Sequence, residues 1–278
     1  MTGLMEAWRM NGAGNAFIVI DARGAPAPEI TSENVRALAR REAFDQLILI
    51  SKAPGHDASL AFWNRDGGEA GACGNGTRAA AWLIFQDTER GALSLASRAG
   101  PLAARRLESG GAEVDLGPAR LDWRAIPLAR EMDTVRLDYA VDLPGGGRLE
   151  GPGAVSMGNP HVVFFDGDPE DLPLEIIGPQ IETDPLFPER VNAGFAQIRA
   201  PGHIRLRVWE RGAGLTKACG TGAAAALVAA CRQGRTEREA VIEADGGLLP
   251  VRWDKEGHVH LAGPVEMEGR FDLEDGGL

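Results

Sequence analysis

One tyrosine, three cysteines and only 29 basic residues against 40 acidic ones are what this 278-residue chain has little of. The basic deficit leaves a formal charge of -11, which argues against a nucleic-acid or anionic-membrane surface, since either calls for a basic face. The longest uncharged apolar run, residues 218–231, falls short of the ~18 residues that suggest a membrane span. Residues 1–10 carry no apolar signal core. Cys73, Cys219 and Cys231 are too few for a disulfide framework, and no C-x-x-C suggests zinc or thioredoxin-like chemistry. The expectation is a soluble, cytoplasmic protein whose thiols are either buried filler or reagents.

What is abundant is glycine and proline, 37 and 17 residues respectively, so many short elements joined by tight turns are predicted. β-Branched and aromatic stretches predict strands at residues 17–21, 47–51, 59–64, 162–166, 204–209 and 259–261. Helices are predicted at 31–41, 77–86 and 221–232, the last two alanine-rich and directly after a C-G-x-G turn. Residues 144–147 and the five-proline stretch 166–188 read as loops. Hydrophobic residues at 44% suffice for a sizeable core, and the length favours two domains.

An internal repeat organises these pieces. Ala72-Cys73-Gly74-Asn75-Gly76 recurs as Ala218-Cys219-Gly220-Thr221-Gly222, 146 positions later. Asn64-Arg65 and Glu210-Arg211 stand nine residues before their cysteines, and Asp45-Gln46 answers to Val191-Asn192 at the same offset. Gly14-Asn15 answers to Gly158-Asn159 at an offset of 144. Four matches in one order at nearly constant spacing argue for a duplicated domain, with the boundary near residues 118–126. A parallel doubly wound sheet fits worse, because long strand–helix alternation is missing.

The repeated turn has a chemical reading. Its glycines let a ligand approach the main chain. The first N–H groups of a helix lack internal partners and carry partial positive charge, a setting that binds a carboxylate or phosphate. The same field lowers a cysteine pKa. Two such units give two activated cysteines and two sets of anion-binding amides. Removing a proton from one face of a carbon α to a carboxylate and returning one to the other needs two such acid–base groups. Amides aimed at the carboxylate would stabilise the carbanion-like transition state. No lysine motif for a pyridoxal phosphate Schiff base is evident, so the reading is cofactor-free, with no metal. Cys231 lacks the turn motif and reads as a core residue. Neither G-x-G follows Walker or dinucleotide spacing.

On these residues the chain resembles the diaminopimelate epimerases, pyridoxal-phosphate-independent racemases of lysine and peptidoglycan biosynthesis that interconvert LL- and meso-diaminopimelate. Asn64-x-Asp66-Gly67-x-Glu69-Ala70 before the Cys73 turn and Thr77-Arg78, Met157-Gly158-Asn159-Pro160-His161, and Glu210-Arg211-Gly212-x-Gly214 before the Cys219 turn carry the likeness. The resemblance implies an α+β fold of two pseudo-symmetric domains, each a strongly curved, mostly antiparallel sheet wrapped around a central helix, with the active site in the cleft between them. Residues 1–121, completed by 266–278, would carry Cys73; residues 122–265 would carry Cys219. Cys73 and Cys219 would be the acid–base pair, with His161 and Glu210 assisting. The Gly74-Asn75 and Gly220-Thr221 backbones would hold the reacting carboxylate. Asn15, Gln46 and Glu210 would surround the reacting ammonium, and Asn64, Asn159, Asn192 and Arg211 would grip the distal end of the substrate. A homodimer is implied by the family alone.

The chain departs from the family pattern at Asn11, Ala16, Gly194 and Leu215, where a His and three acidic residues are usual. Proline racemases and hydroxyproline epimerases or dehydratases, which need no distal clamp, are the alternative within enzymes. A thiol redox switch pairing Cys73 with Cys219 is the alternative outside them. His258 and His260 would share a strand face, but their spacing suggests no metal cluster.

Overall fold

Cys73 and Cys219, in extended backbone conformation, each start a helix. The computed structural model describes residues 5–71, 73–108 and 110–273. Ala72 of the first cysteine turn and the outermost residues of segments 1–121 and 266–278 lie outside the described residues.

The chain divides into two compact units: residues up to Asp115 together with those from Ala262 onward, and Leu116–Leu261. The first runs β1 (Met5–Gly12), β2 (Asn15–Asp21), α1 (Ser32–Arg41), β3 (Gln46–Ser51), β4 (Ala58–Asn64), β5 (Glu69–Ala70), α2 (Gly74–Gln86), β6 (Ala92–Ser97), β7 (Gly100–Arg106) and β8 (Ala112–Pro118). The second runs β9 (Ala140–Asp142), β10 (Arg148–Glu150), β11 (Gly153–Ser156), β12 (Pro160–Phe164), α3 (Leu174–Glu182), β13 (Asn192–Ala200), β14 (His203–Glu210), β15 (Gly214–Thr216), α4 (Gly220–Arg232), β16 (Glu239–Ala244), β17 (Gly247–Trp253) and β18 (His258–Gly263). The last strand, β19 (Glu266–Leu273), returns to the first unit and pairs antiparallel with β1.

The duplication read from the repeat is present strand by strand. In the first unit β2 and β3 pair in parallel, β3 and β4 antiparallel, β4 and β5 antiparallel, and β4 and β6 in parallel. In the second, β12 and β13, β13 and β14, β14 and β15, and β14 and β16 repeat that series in the same senses. The flanking pairs β1–β2 and β6–β7 match β11–β12 and β16–β17, all antiparallel. Each unit is therefore a mostly antiparallel α+β layer with two parallel pairs.

Local chemistry explains the helices. Thr31 caps α1 by accepting from Asn34 N at 3.2 Å, and Glu33 at the start and Arg40 and Arg41 at the end complement the helix dipole. Val35, Leu38 and Ala39 of α1 pack on Ile18, Ile20, Leu47, Leu49 and Trp63, one face of β2–β4. The alternate residues Phe17, Val19, Ile48, Ile50 and Phe62 are buried as well; there α2 packs against β1, β2, β3, β4 and β7, so the sheet curls around it. The alanines of α2 and α4 suit such enclosure, because small side chains let strands close on a helix from several sides. A Cβ at Gly76 would lie 3.0 Å from Ile48 Cδ1, and one at Gly222 would lie 3.0 Å from Val208 Cγ2. Burying each large aliphatic side chain in these layers contributes about 1.5–3 kcal/mol.

The structure corrects the loop predicted across residues 166–188. It contains α3, whose Leu174, Ile177, Gly178 and Ile181 are buried at helical spacing. Pro173 is the N-cap, where no N–H is missed, and Pro179 lies inside the helix. At Gly178 the helix lies tight on β14: a Cβ there would stand 2.5 Å from the Trp209 ring. The predicted helices at 77–86 and 221–232 begin three residues and one residue earlier than expected, at Gly74 and Gly220. The glycines are the first helical turn itself, not a loop before it.

Candidate active site in two matched halves

In the first unit, Cys73 is the N-cap of α2 in extended conformation, and its sulfur accepts from Gly76 N at 3.2 Å. Thr77 N donates to Cys73 O at 2.7 Å, closing the first helical bond. The amides of Gly74 and Asn75 lie ahead of that bond, at the positive end of the helix dipole. Asn75 is buried and donates from Nδ2 to Asn15 Oδ1 at 2.7 Å. Sheet register brings the other polar residues to the same ends of their strands: Gln46 stands opposite Asn64, and Phe17, two residues after Asn15, stands opposite Gln46. Gln46 Nε2 donates to Asn64 Oδ1 at 2.9 Å. The first half thus gathers Asn15, Gln46, Asn64, Gly74 and Asn75 with Cys73, all from residues expected in the site.

In the second unit Cys219 repeats the junction, accepting from Gly222 N at 3.3 Å and adjoining Thr221 Oγ1 at 3.5 Å. Thr221 is the hub of this half. Its hydroxyl lies 3.1 Å from His161 Nε2 and 3.3 Å from Asn159 Nδ2. His161 also meets Asn159 Oδ1 at 3.1 Å. Asn192, opposite His161 in the parallel register, donates to Pro160 O at 2.8 Å and accepts from Arg211 N at 2.9 Å. The Arg211 guanidinium is exposed, with Nη1 on Glu189 O at 2.8 Å. Glu210 accepts from Thr216 Oγ1 at 2.5 Å.

The electrostatics depart from expectation in one half. A helix N-terminus was expected to lower both thiol pKa values. For Cys219 the net direction is upward: burial is the largest cause and the nearby Glu210 carboxylate adds to it, outweighing the Thr221 and Gly222 hydrogen bonds. His161 is pushed down to about 3 by burial, reinforced by Arg211, so it is neutral at physiological pH. It reaches the Cys219 sulfur through Thr221. Cys231 is half-buried in the last turn of α4, less enclosed than the core residue expected.

Sequence reasoning missed the side chains that hold these groups. Asp45 accepts from Ala16 N at 2.9 Å and from Asn15 Nδ2 at 3.5 Å. Glu182 accepts from Trp209 Nε1 at 2.7 Å and Gly212 N at 3.0 Å, bracketing the Glu210–Arg211 turn. Thr216, which pairs with Val208 on β14 and donates to Glu210, carried no sequence signal of that role. Glu182 lay inside the stretch read as loop.

Each copy of the duplicated fold caps its enclosed helix with a cysteine beside amide side chains, and comparison with known proteins places the chain among the isomerases that epimerise. The family model of diaminopimelate epimerase matches residues 7–121 and 153–268. The diaminopimelate epimerase of Phenylobacterium zucineum is 52% identical over 272 residues, covering 95% of this chain and 96% of that one. That of Erythrobacter litoralis is 45% identical, covering 96% and 97%. A hydroxyproline epimerase structure from Agrobacterium vitis superposes with a TM-score of 0.68 at 14% identity, covering 98% of this chain and 91% of that one, and so shares the fold. The chain belongs to the diaminopimelate epimerase family.

Proposed function

We propose that this protein interconverts LL- and meso-diaminopimelate by removing the α-proton with one cysteine and returning a proton with the other. The observation that carries the reading is the matched pair of cysteine-capped helices, set beside 52% identity to a diaminopimelate epimerase over nearly the full chain. In one direction a Cys73 thiolate takes the α-proton and the Cys219 thiol donates one to the opposite face; in the other the roles exchange. The upward-shifted Cys219 thiol suits the donor role in the resting enzyme. The amides of Gly74–Asn75 and Gly220–Thr221 hold the reacting carboxylate and stabilise charge as it develops there. Asn15, Gln46 and Glu210 receive the reacting ammonium. Asn64, Asn159, Asn192 and Arg211 receive the distal amino-acid end, the guanidinium fork suiting a carboxylate.

The proposal places the reaction in lysine and peptidoglycan biosynthesis, in the cytoplasm, with the chain acting as a homodimer. Among the described residues no helix is long and apolar enough to cross a membrane. The test compares substrates. Purified protein should convert LL-diaminopimelate to the meso isomer and leave proline unchanged. Exchange of the proline α-proton with no turnover of diaminopimelate would overturn the assignment in favour of a proline racemase. Light scattering checks the dimer independently.

A further inference from the structure

Arg78 is an anomaly in the enclosed face of α2. Most of this face is apolar, with Ala79, Ala80, Ala81, Leu83, Ile84 and Phe85 beside only Asn75 and Thr77, yet the Arg78 side chain is fully buried. A buried guanidinium ordinarily meets a carboxylate, because an unpaired charge there costs several kcal/mol. Arg78 instead donates from Nη1 to Asn75 Oδ1 at 3.1 Å and to Ala262 O at 3.4 Å, while Nε and Nη2 have no partner among the described residues. Two glycines make room for it. A Cβ at Gly12 would stand 3.4 Å from Nη2, and one at Gly263 would stand 3.3 Å from Cζ.

The duplication shows that this cation is specific to one half. The position equivalent to Arg78 in the second unit is Ala224, and the position equivalent to Asn64 is Glu210. The Cys73 half therefore holds a buried positive charge, and the Cys219 half a carboxylate. Burial pushes the Arg78 guanidinium down to about 10, and Cys73, the cap of the same helix five positions earlier, works against that shift. Around this turn, β1 offers Gly12, β2 Asn15, β3 Gln46 and Ile48, β4 Phe62, and β18 Ala262–Gly263. The nearest acid in the hydrogen-bond chain is Asp45, three links from Arg78 through Asn75 and Asn15. Because Arg78 can only donate, it commits Asn75 Oδ1 to accepting, which turns Asn75 Nδ2 onto Asn15 Oδ1 and leaves Asn15 Nδ2 for Asp45.

We propose that Arg78 is a positioning residue of the first half-site: it fixes the donor–acceptor sense of the Asn75–Asn15 pair and supplies a buried positive charge on the helix that Cys73 caps, favouring that cysteine as a thiolate. The proposal rests on the two-cysteine reading of the site, but its test needs no diaminopimelate. Iodoacetamide labelling of Cys73 at neutral pH, read peptide by peptide with Cys231 as internal reference, measures thiolate reactivity in the intact chain. Arg78→Met should slow Cys73 labelling about tenfold or more while leaving Cys231 unchanged, and Arg78→Lys, which keeps the charge, should stay within about threefold of the parent. Unchanged Cys73 labelling in folded Arg78→Met overturns the proposal. Should Arg78→Met fail to fold, Arg78→Gln, which removes the charge and keeps much of the length, takes its place: Cys73 labelling slowed about tenfold supports the proposal, and labelling at the parental rate overturns it. Absence of diaminopimelate turnover in the parent enzyme would count against the functional reading and leave the Arg78 result standing.

Discussion

Thr221 Oγ1 lies 3.5 Å from Cys219 Sγ and 3.1 Å from His161 Nε2, so one hydroxyl joins the proposed acid–base cysteine to a buried, neutral imidazole. Thr221→Val keeps the shape and removes the hydroxyl. Losing a hydrogen bond of about 0.5–1.5 kcal/mol at the sulfur should lower kcat by up to about tenfold, with KM changing less. Steady-state kinetics in both directions checks this, and an unaltered kcat would show that the hydroxyl does not serve the sulfur.

Cys219 is expected to be a thiol at neutral pH, because burial and Glu210 both push its pKa up. Glu210→Gln removes the charge and keeps the side-chain volume. Labelling of Cys219 by a small alkylating reagent, read without substrate, should then rise. An equal rate in both proteins would mean that Glu210 does not set the thiol.

His161 gives a pH signature. An unfolded histidine takes up a proton near pH 6.5, whereas His161 in the fold does so only near pH 3, owing to burial. Between those values the unfolded chain binds more protons. Its contribution to stability is therefore full above about pH 6.5 and is lost as pH falls toward 3. His161→Gln should show a shallower fall in Tm across that window than the parent chain. Parallel Tm curves would contradict the shift.

Glu182 is nearly buried and accepts from Trp209 Nε1, Gly212 N and Arg190 Nη1. Glu182→Gln places an amide N–H against those donors. A stability loss of about 1.5–3 kcal/mol is expected, together with a raised KM as the Glu210–Arg211 turn loosens. Denaturant unfolding measures the first and kinetics the second; no change in either would remove Glu182 from the support of the turn.

The duplicated plan was legible in the chain because its marks are local: a cysteine, a glycine pair and an alanine run recur at one spacing. α3 was not legible. Its helical stripe of Leu174, Ile177 and Ile181 is flanked by Pro173 and interrupted by Pro179, and a proline inside a segment ordinarily argues against a helix there. The amide residues Asn15, Gln46 and Asn64 were found through the repeat, and strand register explains their grouping. The direction of the Cys219 shift could not be read the same way. The helix end argues for a lower pKa, and only the β14–β15 hairpin and the depth of burial bring Glu210 and desolvation to bear against it. Arg78 stood in the first cysteine motif, but that its guanidinium lacks a carboxylate is a tertiary fact.

The most direct test of the two-cysteine account is incubation of the purified protein with LL-diaminopimelate in deuterated water, without pyridoxal phosphate. The account predicts meso product carrying solvent deuterium at the inverted α-carbon, and no product when either Cys73 or Cys219 is replaced by alanine. Meso product free of solvent deuterium, or full activity in either cysteine variant, would contradict it.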